Sequence, residues 1–575
     1  MPTPTLEQLL ARLDALKLPS GARGRARLRS LLAQISRRKF RDAASLVRFH
    51  EILLFMRAYP QGRALLAQTE KIISTFKERV DLLRESEDFY EFERPEVSGV
   101  AGTAFSAIFT YDVVRWLARR HPSRVRIDWD GYVEEGQLAA VLPRILPLVE
   151  ENAYVETYFP FHEYLRAGRG RERNELAWLV ERFESLPVTP ADRAALFDSL
   201  RLWVRWDFAD TRASRTRMKL RARRIFFHDE PLLTRRDVSL ARELEDAEPL
   251  PVEKLSRGEG GRLLDAGRET MTARFRELRG FTYGDPSTVL RADAGRGVEV
   301  FMWGLPFARR LPVLAYHSML VLKNGVPCGY AETLTIFERV EAGLNLFYTF
   351  REGESAFIYA RLLRLFRQVL GASVFSIDPY QLGFKNEEGI ASGAFWFYRK
   401  LGFRPVQTRL AELTAREERR LASRPGLRTT AKLLRELSSG HVIFEAPSAP
   451  SRLKPGEWDG FHVRNLGLSV ARRMAARHGG DAARLRRDSS ARAAEALGVR
   501  LSDFVDDEGV AFENLSLLAA LVPDLNVWTE DEKDSFVRLV RAKAGRDESK
   551  YLRLSQKHRR FRREVIKLGS STEEK

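Results

Sequence analysis

Two titratable side chains lie inside apolar stretches of this sequence, where packing alone does not explain them. Glu332 interrupts the run 330–337, and alternation with a period of two places Tyr330, Glu332 and Leu334 on one face of a strand. A carboxylate buried in a strand without partners is costly, so Glu332 is either exposed or placed for a role such as general base. His317 is a second candidate to accept a proton, and its alternative is a hydrogen-bonded residue of the sheet.

The segment 392–405 reads SGAFWFYRKLGFRP and predicts a helix that ends abruptly, because Gly402 breaks it and Pro405 follows. The pattern Ala-x-x-x-Tyr-x-Lys-Leu-Gly-Phe resembles the last helix and following strand of GNAT-type acetyltransferases. The resemblance implies that Tyr398 protonates a thiolate leaving group as a general acid, a task that suits a neutral phenol. The open alternative is a core residue, because other aromatic residues surround Tyr398 at helical spacing.

GNAT enzymes hold acetyl-CoA through a strand, a turn of exposed backbone N–H groups and the helix that this turn opens. The pyrophosphate binds there because unpaired N–H groups and the helix dipole attract anions. The resemblance therefore implies that Arg351, Gly353, Ser355 and Ala356 bind acetyl-CoA or another acyl-CoA. The family turn has Arg or Gln where Phe350 stands, and Gly or Ala where Ser355 stands. The alternative is an ordinary strand-to-helix turn.

Two further segments are implied to line the site. In GNAT folds the acyl chain lies between the strand at 372–377 and the parallel strand before it, which makes Asp378 and Tyr380 candidates for a substrate pocket, together with His317. The alternative for Asp378 and Tyr380 is a plain loop. The family often has an asparagine seven residues before its tyrosine, where this sequence has Ala391. Asn386 lies further upstream and is the candidate to take this part in cofactor binding.

Composition narrows the class of protein. Across 575 residues, 44% hydrophobic and 30% charged content is typical of a soluble globular protein with about three domains. The N-terminus lacks a signal-peptide core, and no apolar run reaches the ~20 residues that span a bilayer, so we expect a cytoplasmic protein without a membrane span. A single cysteine, Cys328, excludes an internal disulfide or a Cys-based zinc cluster, and the histidines lack metal-ligand spacing. No metal is therefore predicted.

The net charge of +18 indicates a partner such as nucleic acid, an acidic membrane surface or coenzyme A, or else a distributed and solvated surface charge. The densest basic run, RASRTRMKLRARR at 212–224, could contact phosphates. It has no interleaved aromatic residues and no known nucleic-acid motif, which favours a solvated linker or helix face. The basic helix near 557–563 has the same two interpretations.

Hydrophobic spacing predicts an α+β protein with several domains. We expect an all-helical N-terminal domain over 1–225, a linker over 226–249, a GNAT-like acyltransferase domain with a mixed sheet over 250–446, and a helical basic region over 447–575. In the third of these, a helix is predicted over 256–279, and Asn324-Gly325 predicts a hairpin because both residues tolerate positive φ.

The function implied by the resemblance is acyl-CoA-dependent N-acylation of an amine, carried by a small molecule or a protein. Two alternatives stay open. One is a GNAT-shaped domain that has lost catalysis and serves as a binding or scaffold protein. The other is a nucleic-acid-associated protein that acts through its basic helical regions.

Overall fold

The computed structural model describes residues 4–18, 21–149, 160–170, 174–245, 248–424, 426–447 and 454–570. Backbone contacts divide these residues into two compact units. Unit 1 comprises the described residues of Met1–Pro231, Arg262–Thr282 and Lys323–Pro327, and unit 2 comprises those of Leu232–Gly261, Tyr283–Leu322 and Cys328–Lys575. The four-part division made from the sequence stays a prediction.

Short 3-10 turns aside, the described part of the chain before residue 246 contains the following helices and strands. They are α1 (Leu6–Leu16), α2 (Gly21–Ser36), α3 (Ala43–Ala58), α4 (Arg63–Ser74), α5 (Phe76–Asp81), β1 (Ala104–Ile108), α6 (Tyr111–Arg120), β2 (Val125–Ile127), α7 (Glu135–Val141), α8 (His162–Arg169), α9 (Glu175–Glu184), α10 (Pro190–Ser199), β3 (Trp203–Asp207) and α11 (Leu240–Glu245).

From residue 252 onward the described elements include most of the strands. They are β4 (Val252–Lys254), α12 (Arg257–Thr272), α13 (Arg279–Tyr283), β5 (Leu290–Gly295), β6 (Val298–Trp303), β7 (Ala315–Lys323), β8 (Val326–Ile336), β9 (Arg339–Leu346), α14 (Ser355–Leu370), β10 (Val374–Ile377), α15 (Pro379–Leu382), α16 (Glu387–Ser392), α17 (Ala394–Lys400), β11 (Arg404–Pro405), α18 (Thr408–Ser423), α19 (Ala431–Leu437), β12 (Val442–Glu445), α20 (Val463–His478), α21 (Ala482–Leu497), α22 (Asp506–Ala519), α23 (Glu530–Ala544), α24 (Ser549–Lys557) and α25 (Arg559–Ser570).

Unit 1 contains a small antiparallel sheet with the strand order β1-β3-β2. The prediction that residues 1–225 are all-helical was therefore wrong. Each strand has three to five residues, and buried residues alternate with exposed ones along it. Such short alternations are hard to recognise between helices, because a period of two needs more residues to stand out. The buried face of this sheet packs with α6 and α9 in one apolar core.

The basic run 212–224 is partly built into unit 1. Arg215 is 4% exposed, donates to a Glu51 carboxylate oxygen at 2.6 Å and also donates to the Glu96 carbonyl. Lys219 donates to Glu70 at 2.5 Å. These two cations are therefore structural, and the prediction of a wholly solvated linker or helix face was wrong for them.

Unit 2 is organised around a mixed sheet, which confirms the coarse prediction of an α and β protein. The nine described strands have the order β11-β12-β10-β9-β8-β7-β6-β5-β4. Strands β9 and β10 run parallel, whereas the pairs β4–β5, β5–β6, β8–β9, β10–β12 and β11–β12 are antiparallel. The predicted hairpin is confirmed, because Asn324 and Gly325 have φ of 51° and 83° between β7 and β8.

Helix ends follow local chemistry in several places. Helix α17 is followed by Gly402 with φ 107°, as its stop signal predicts. Thr529 and Glu532 form a capping box at the start of α23. The helix predicted over 256–279 instead ends at Thr272, and Phe275 just beyond has a φ of 56°, in the left-handed region that breaks a helix.

A buried ion pair lies near the end of α23 in unit 2. Lys543 and Glu548 are 2% and 1% exposed, and the ammonium donates to this carboxylate and to the Leu314 carbonyl at 2.9 Å. Arg310 crosses the same turn and donates to the carbonyls of Lys543 and Gly545 at 2.9 and 2.6 Å. The pair is therefore desolvated, and either partner alone would leave an uncompensated charge.

We expect Lys543→Met to lower the free energy of unfolding by about 3–5 kcal/mol, because Glu548 would stay buried without its cation. The double variant Lys543→Met/Glu548→Gln should regain much of this loss, since neither charge then remains. Lys533→Met on the same helix is the matched control, because its ion pair with the exposed Glu530 contributes less than about 1 kcal/mol. Chemical denaturation followed by circular dichroism is the measurement, and equal losses in the single and double variants would contradict the prediction.

Candidate functional site

Strands β9 and β10 pair over only part of their length. The last pair in their parallel register is Glu341 with Ser376, and β10 ends at Ile377 while β9 continues to Leu346. On the side of β9 that faces β10, the backbone groups of Ala342 and Leu344 therefore lie beyond the last paired residue. Buried backbone groups of this kind need other partners.

Two tyrosines bond to this open edge of β9. Tyr359 from α14 donates to the Ala342 carbonyl at 3.1 Å, and the Tyr398 hydroxyl of α17 accepts from the Leu344 N–H at 3.4 Å. Their rings lie 5.4 Å apart and nearly perpendicular, at 75°. Burial raises the pKa of Tyr398 to about 12, so the phenol is neutral and carries its proton at pH 7. Tyr398 is thus both a packed aromatic residue and a hydroxyl on the β9 edge.

Glu332 on β8 lies opposite Gly343 of β9, so both belong to the same face of the sheet. Tyr316 donates to its Oε1 atom, and Ser318 Oγ lies 3.3 Å from the same oxygen. Gln381 fills the space above Gly343, where a Cβ would come within 2.8 Å of the Gln381 side chain. The carboxylate of Glu332 is therefore half-buried in a polar row that continues onto β9.

His317 is not brought together with Glu332. It lies between Tyr316 and Ser318 on β7, and alternation along the strand points it to the opposite face of the sheet. There it is 6% exposed, and its Nδ1 has no hydrogen-bond partner among the described residues. Burial lowers the pKa of His317 to about 4, against the opposing effect of Glu548. The imidazole is thus neutral at pH 7, and it lies away from the polar row that contains Glu332.

The turn at 351–356 differs from an open anion site. Its Arg351 donates to Glu388, Gly353 bonds through its N–H to the Phe350 carbonyl at 3.0 Å, and Ser355 and Ala356 begin α14. The N-cap of this helix is Glu354, which is fully buried.

Glu354 has its own cation. Arg296 donates to its carboxylate at 2.6 Å, and the Leu233 N–H donates to the same oxygen at 3.1 Å. A carboxylate beside the first turn of a helix meets the positive end of the dipole, where the sequence resemblance implies a pyrophosphate. The residue before the first turn of α14 is therefore a buried, ion-paired carboxylate, although it makes no capping hydrogen bond to the helix.

The remaining predicted residues cap short helices. Asp378 accepts from the Tyr380 N–H at 2.8 Å at the start of α15, and Tyr380 itself is 56% exposed. Asn386 accepts from the Gly389 N–H at 3.3 Å at the start of α16, and its amide donates to the Tyr380 carbonyl at 3.0 Å. Asp378 lies one residue beyond β10, at the end where β9 and β10 part. Cofactor binding by Asn386 and a pocket role for Tyr380 stay predictions.

The structure also assembles a group that the sequence did not predict. Ligand-type atoms of Glu341, Asp378 and His441 all lie within 4.8 Å of one another. His441 Nε2 is 3.5 Å from Asp378 Oδ2 and 3.8 Å from Glu341 Oε2. Burial works to raise the pKa of Glu341, but the neighbouring His441 and Arg339 outweigh it and hold that pKa below its ordinary value. We call these three residues the strand-end triad.

The triad was missed because its residues lie in or next to three strands that are distant in the sequence. The strand signal around Glu341 was itself weak, although β9 begins at Arg339 and ends at Leu346. The polar residues Arg339 and Glu341 alternate with the buried Val340 and Ala342, and this period of two was the available signal.

Comparisons with protein-family models, curated proteins and solved structures gave no significant match to this chain. Among the described residues, no helix is both long and apolar enough to cross a membrane.

The buried His317 predicts acid sensitivity. A histidine whose folded-state pKa lies below its ordinary 6.5 contributes stability above pH 6.5, and this stability is lost as the pH falls toward 4. We expect His317→Gln to remove up to about 3 kcal/mol of the decrease in unfolding free energy between pH 7 and pH 4. Urea denaturation of both proteins across this range is the measurement. Parallel stability curves would contradict a neutral buried imidazole.

Proposed function

We propose that the region 250–446 is a GNAT-like domain that transfers an acyl group from acyl-CoA to an amine. The observation that carries this proposal is the parting of the parallel strands β9 and β10, with the Tyr398 hydroxyl at the open edge. In the family that the sequence resembles, the acyl chain lies between these two strands. Tyr398, the proposed general acid, is therefore next to the position proposed for the thioester.

The proposed base lies next to the same position. Glu332 is opposite Gly343, and the following residue, Leu344, donates to Tyr398. The two groups thus approach neighbouring residues of β9, Glu332 from one face and Tyr398 from the edge. The contacts of Tyr316 and Ser318 with the Glu332 carboxylate orient it toward this position, as a proton acceptor requires.

The reaction that these residues support is direct acyl transfer. The amine nitrogen attacks the thioester carbonyl, so that a C–N bond forms and the C–S bond breaks. Glu332 accepts the proton that the amine loses, and Tyr398 gives its proton to the departing thiolate. Proton exchange with solvent then returns both side chains to their starting states.

The two ends of the acyl donor would meet different surroundings in this site. Its thioester end suits the open edge of β9, whereas its pyrophosphate end would meet the buried Glu354 at the start of α14. This carboxylate and its ion pair with Arg296 favour the alternative of a GNAT-shaped binding module without catalysis. Binding of the donor is therefore the measurement that separates the two functions.

We expect millimolar acetyl-CoA to raise the melting temperature of the wild-type protein, because a ligand that binds the folded state stabilises it. With a panel of amines and detection of the released thiol, Tyr398→Phe should lower turnover by ~10²- to 10⁴-fold at unchanged donor affinity. Tyr359→Phe is the matched control, because it deletes the other hydroxyl on the β9 edge and should change turnover by only a few fold. Tyr398→Ala should instead lower stability by several kcal/mol.

Two results would contradict the proposed acyl transfer. A melting temperature unmoved by acetyl-CoA and by longer acyl-CoA thioesters would favour the non-catalytic module. Wild-type turnover in Tyr398→Phe, with an accepted amine, would assign Tyr398 to packing alone.

A second candidate function concerns unit 1, where arginines crowd one face of the small sheet. Arg126 on β2 lies directly opposite Arg205 on β3, and neither forms an ion pair with a described residue. Like charges opposite each other in a sheet are destabilising unless an anion neutralises them. Both line a groove of about 500 Å³, together with Arg84, Arg124 and the acidic Glu93 and Asp207. This face supports binding to nucleic-acid phosphates.

We expect fluorescence-labelled RNA or DNA to bind with a strong salt dependence, because contacts with phosphates release counterions. The double variant Arg126→Gln/Arg205→Gln should lower the slope of log K against log salt by about 2. Arg221→Gln/Arg224→Gln, in the basic run, is the matched control with the same change in charge. An equal slope in both double variants would contradict a role for the arginine face.

A further inference from the structure

The strand-end triad brings together one carboxylate within β9, one carboxylate just after β10 and one imidazole just before β12. Glu341 pairs in register with Ser376 of β10, and Asp378 lies two residues further on the same face. On the other side of β10, Ile377 pairs with Val442, so His441 is the residue opposite Asp378. Sheet registry therefore fixes the relative positions of all three side chains.

The distances within the triad approach those of a metal site. In a tetrahedral site with zinc–ligand bonds near 2.1 Å, neighbouring ligand atoms are about 3.4 Å apart. His441 Nε2 lies 3.5 Å from Asp378 and 3.8 Å from Glu341, and all three atoms lie within 4.8 Å. Small side-chain rotations would bring them to bonding distance. The side chains are 18%, 42% and 27% exposed for His441, Asp378 and Glu341, which leaves a path for an ion.

A separate observation on the same face also indicates a missing polar partner. Ser376 is fully buried, and its hydroxyl has no hydrogen-bond partner among the described residues, although it neighbours Glu341 in register. A buried hydroxyl without a hydrogen-bond partner is unfavourable, and a group that coordinates a bound ion would supply that partner. His462 adds a second imidazole, with its ring 5.3 Å from that of His441.

Arg339, a cation beside the triad, is held from another direction. Arg339 Nη2 is 3.7 Å from Glu341, beyond hydrogen-bond distance. The guanidinium lies 5.3 and 5.9 Å from the ring centroids of Phe461 and Trp458. These cation–π contacts hold Arg339 against the aromatic rings. The guanidinium of Arg339 is therefore not committed to a hydrogen bond with Glu341.

We propose that Glu341, Asp378 and His441 bind a divalent transition-metal ion such as Zn²⁺ or Mn²⁺, at the end of the sheet where β9 and β10 part. Mixed imidazole and carboxylate donors suit ions of this class. The ion would link Glu341 in β9 to the residue after β10 and the residue before β12, at the point where hydrogen bonding between β9 and β10 ends. This site does not depend on acyl transfer, because neither Glu332 nor Tyr398 belongs to it.

The test uses the full-length chain without an affinity tag, freed of metal by a chelator and gel filtration. Isothermal titration with ZnCl₂ and, separately, MnCl₂ should show one site of micromolar or tighter affinity for at least one ion. The same ion should raise the melting temperature, because it binds only the folded arrangement. Absence of both heat and thermal shift with both ions would overturn the proposal.

Asp378→Asn is the most informative variant, because an asparagine still caps α15 through the bond that Asp378 makes to the Tyr380 N–H. It should weaken binding by at least ~10-fold, as should Glu341→Gln and His441→Ala. His162→Ala is the matched control: His162 is also 18% exposed and lies 3.4 and 3.5 Å from the carboxylates of Glu135 and Glu163.

The control should keep the wild-type affinity and stoichiometry. Circular dichroism should be used to check that each variant is folded. If His441→Ala does not fold, Asp378→Asn decides the outcome. Wild-type affinity in Asp378→Asn, or loss of the site in His162→Ala, would overturn the assignment.

Discussion

The central constraint in unit 2 is that the backbone of β9 needs partners where β10 leaves it. Buried N–H and C=O groups without partners each cost about 1–3 kcal/mol, so the edge at Ala342 and Leu344 cannot stay empty. Tyr359 and Tyr398 supply the hydroxyls that bond there. Because these tyrosines come from different helices, their bonds help to fix α14 and α17 against the same stretch of strand. The position of Tyr398 thus follows from backbone chemistry before any catalytic role is considered.

Charge in unit 2 obeys a similar constraint, because its buried cations and anions are largely matched. Lys543 is paired with Glu548, and Arg562 lies between Glu338 and Glu457 at 2.5 and 2.7 Å. In each case a buried charge is tolerated because an opposite charge compensates for its lost hydration. The count of 96 lysines and arginines therefore overstates the number of cations that are free for a partner. The position of an arginine in the fold is more informative about binding than its number in the sequence.

Features set by neighbouring residues could be predicted from the sequence. The Asn324-Gly325 hairpin, the end of α17 at Gly402 and the capping box at Thr529 all depend on a few adjacent residues. The evidence for function was only partly local. The helix that contains Tyr398 was recognisable from the sequence, but the hydrogen bond between Tyr398 and β9 was not. Burial of Glu354 and the convergence of the strand-end triad depend on residues brought together by tertiary structure, for which a single sequence has no local signal.

Tyr359 and the first turn of α14 bear on the proposed function in different ways. Tyr359, in the first half of this helix, bonds to β9 and would stabilise a catalytic or a non-catalytic protein alike. The opening of β9 beside Tyr398 is likewise compatible with both. The first turn of α14 does separate the two functions. An open anion site needs unpaired N–H groups at the start of the helix. In this chain the residue before these groups is Glu354, which is buried and paired with Arg296. The state of that ion pair, more than the geometry around Tyr398, therefore decides whether a GNAT-like domain of this form can hold a phosphorylated donor.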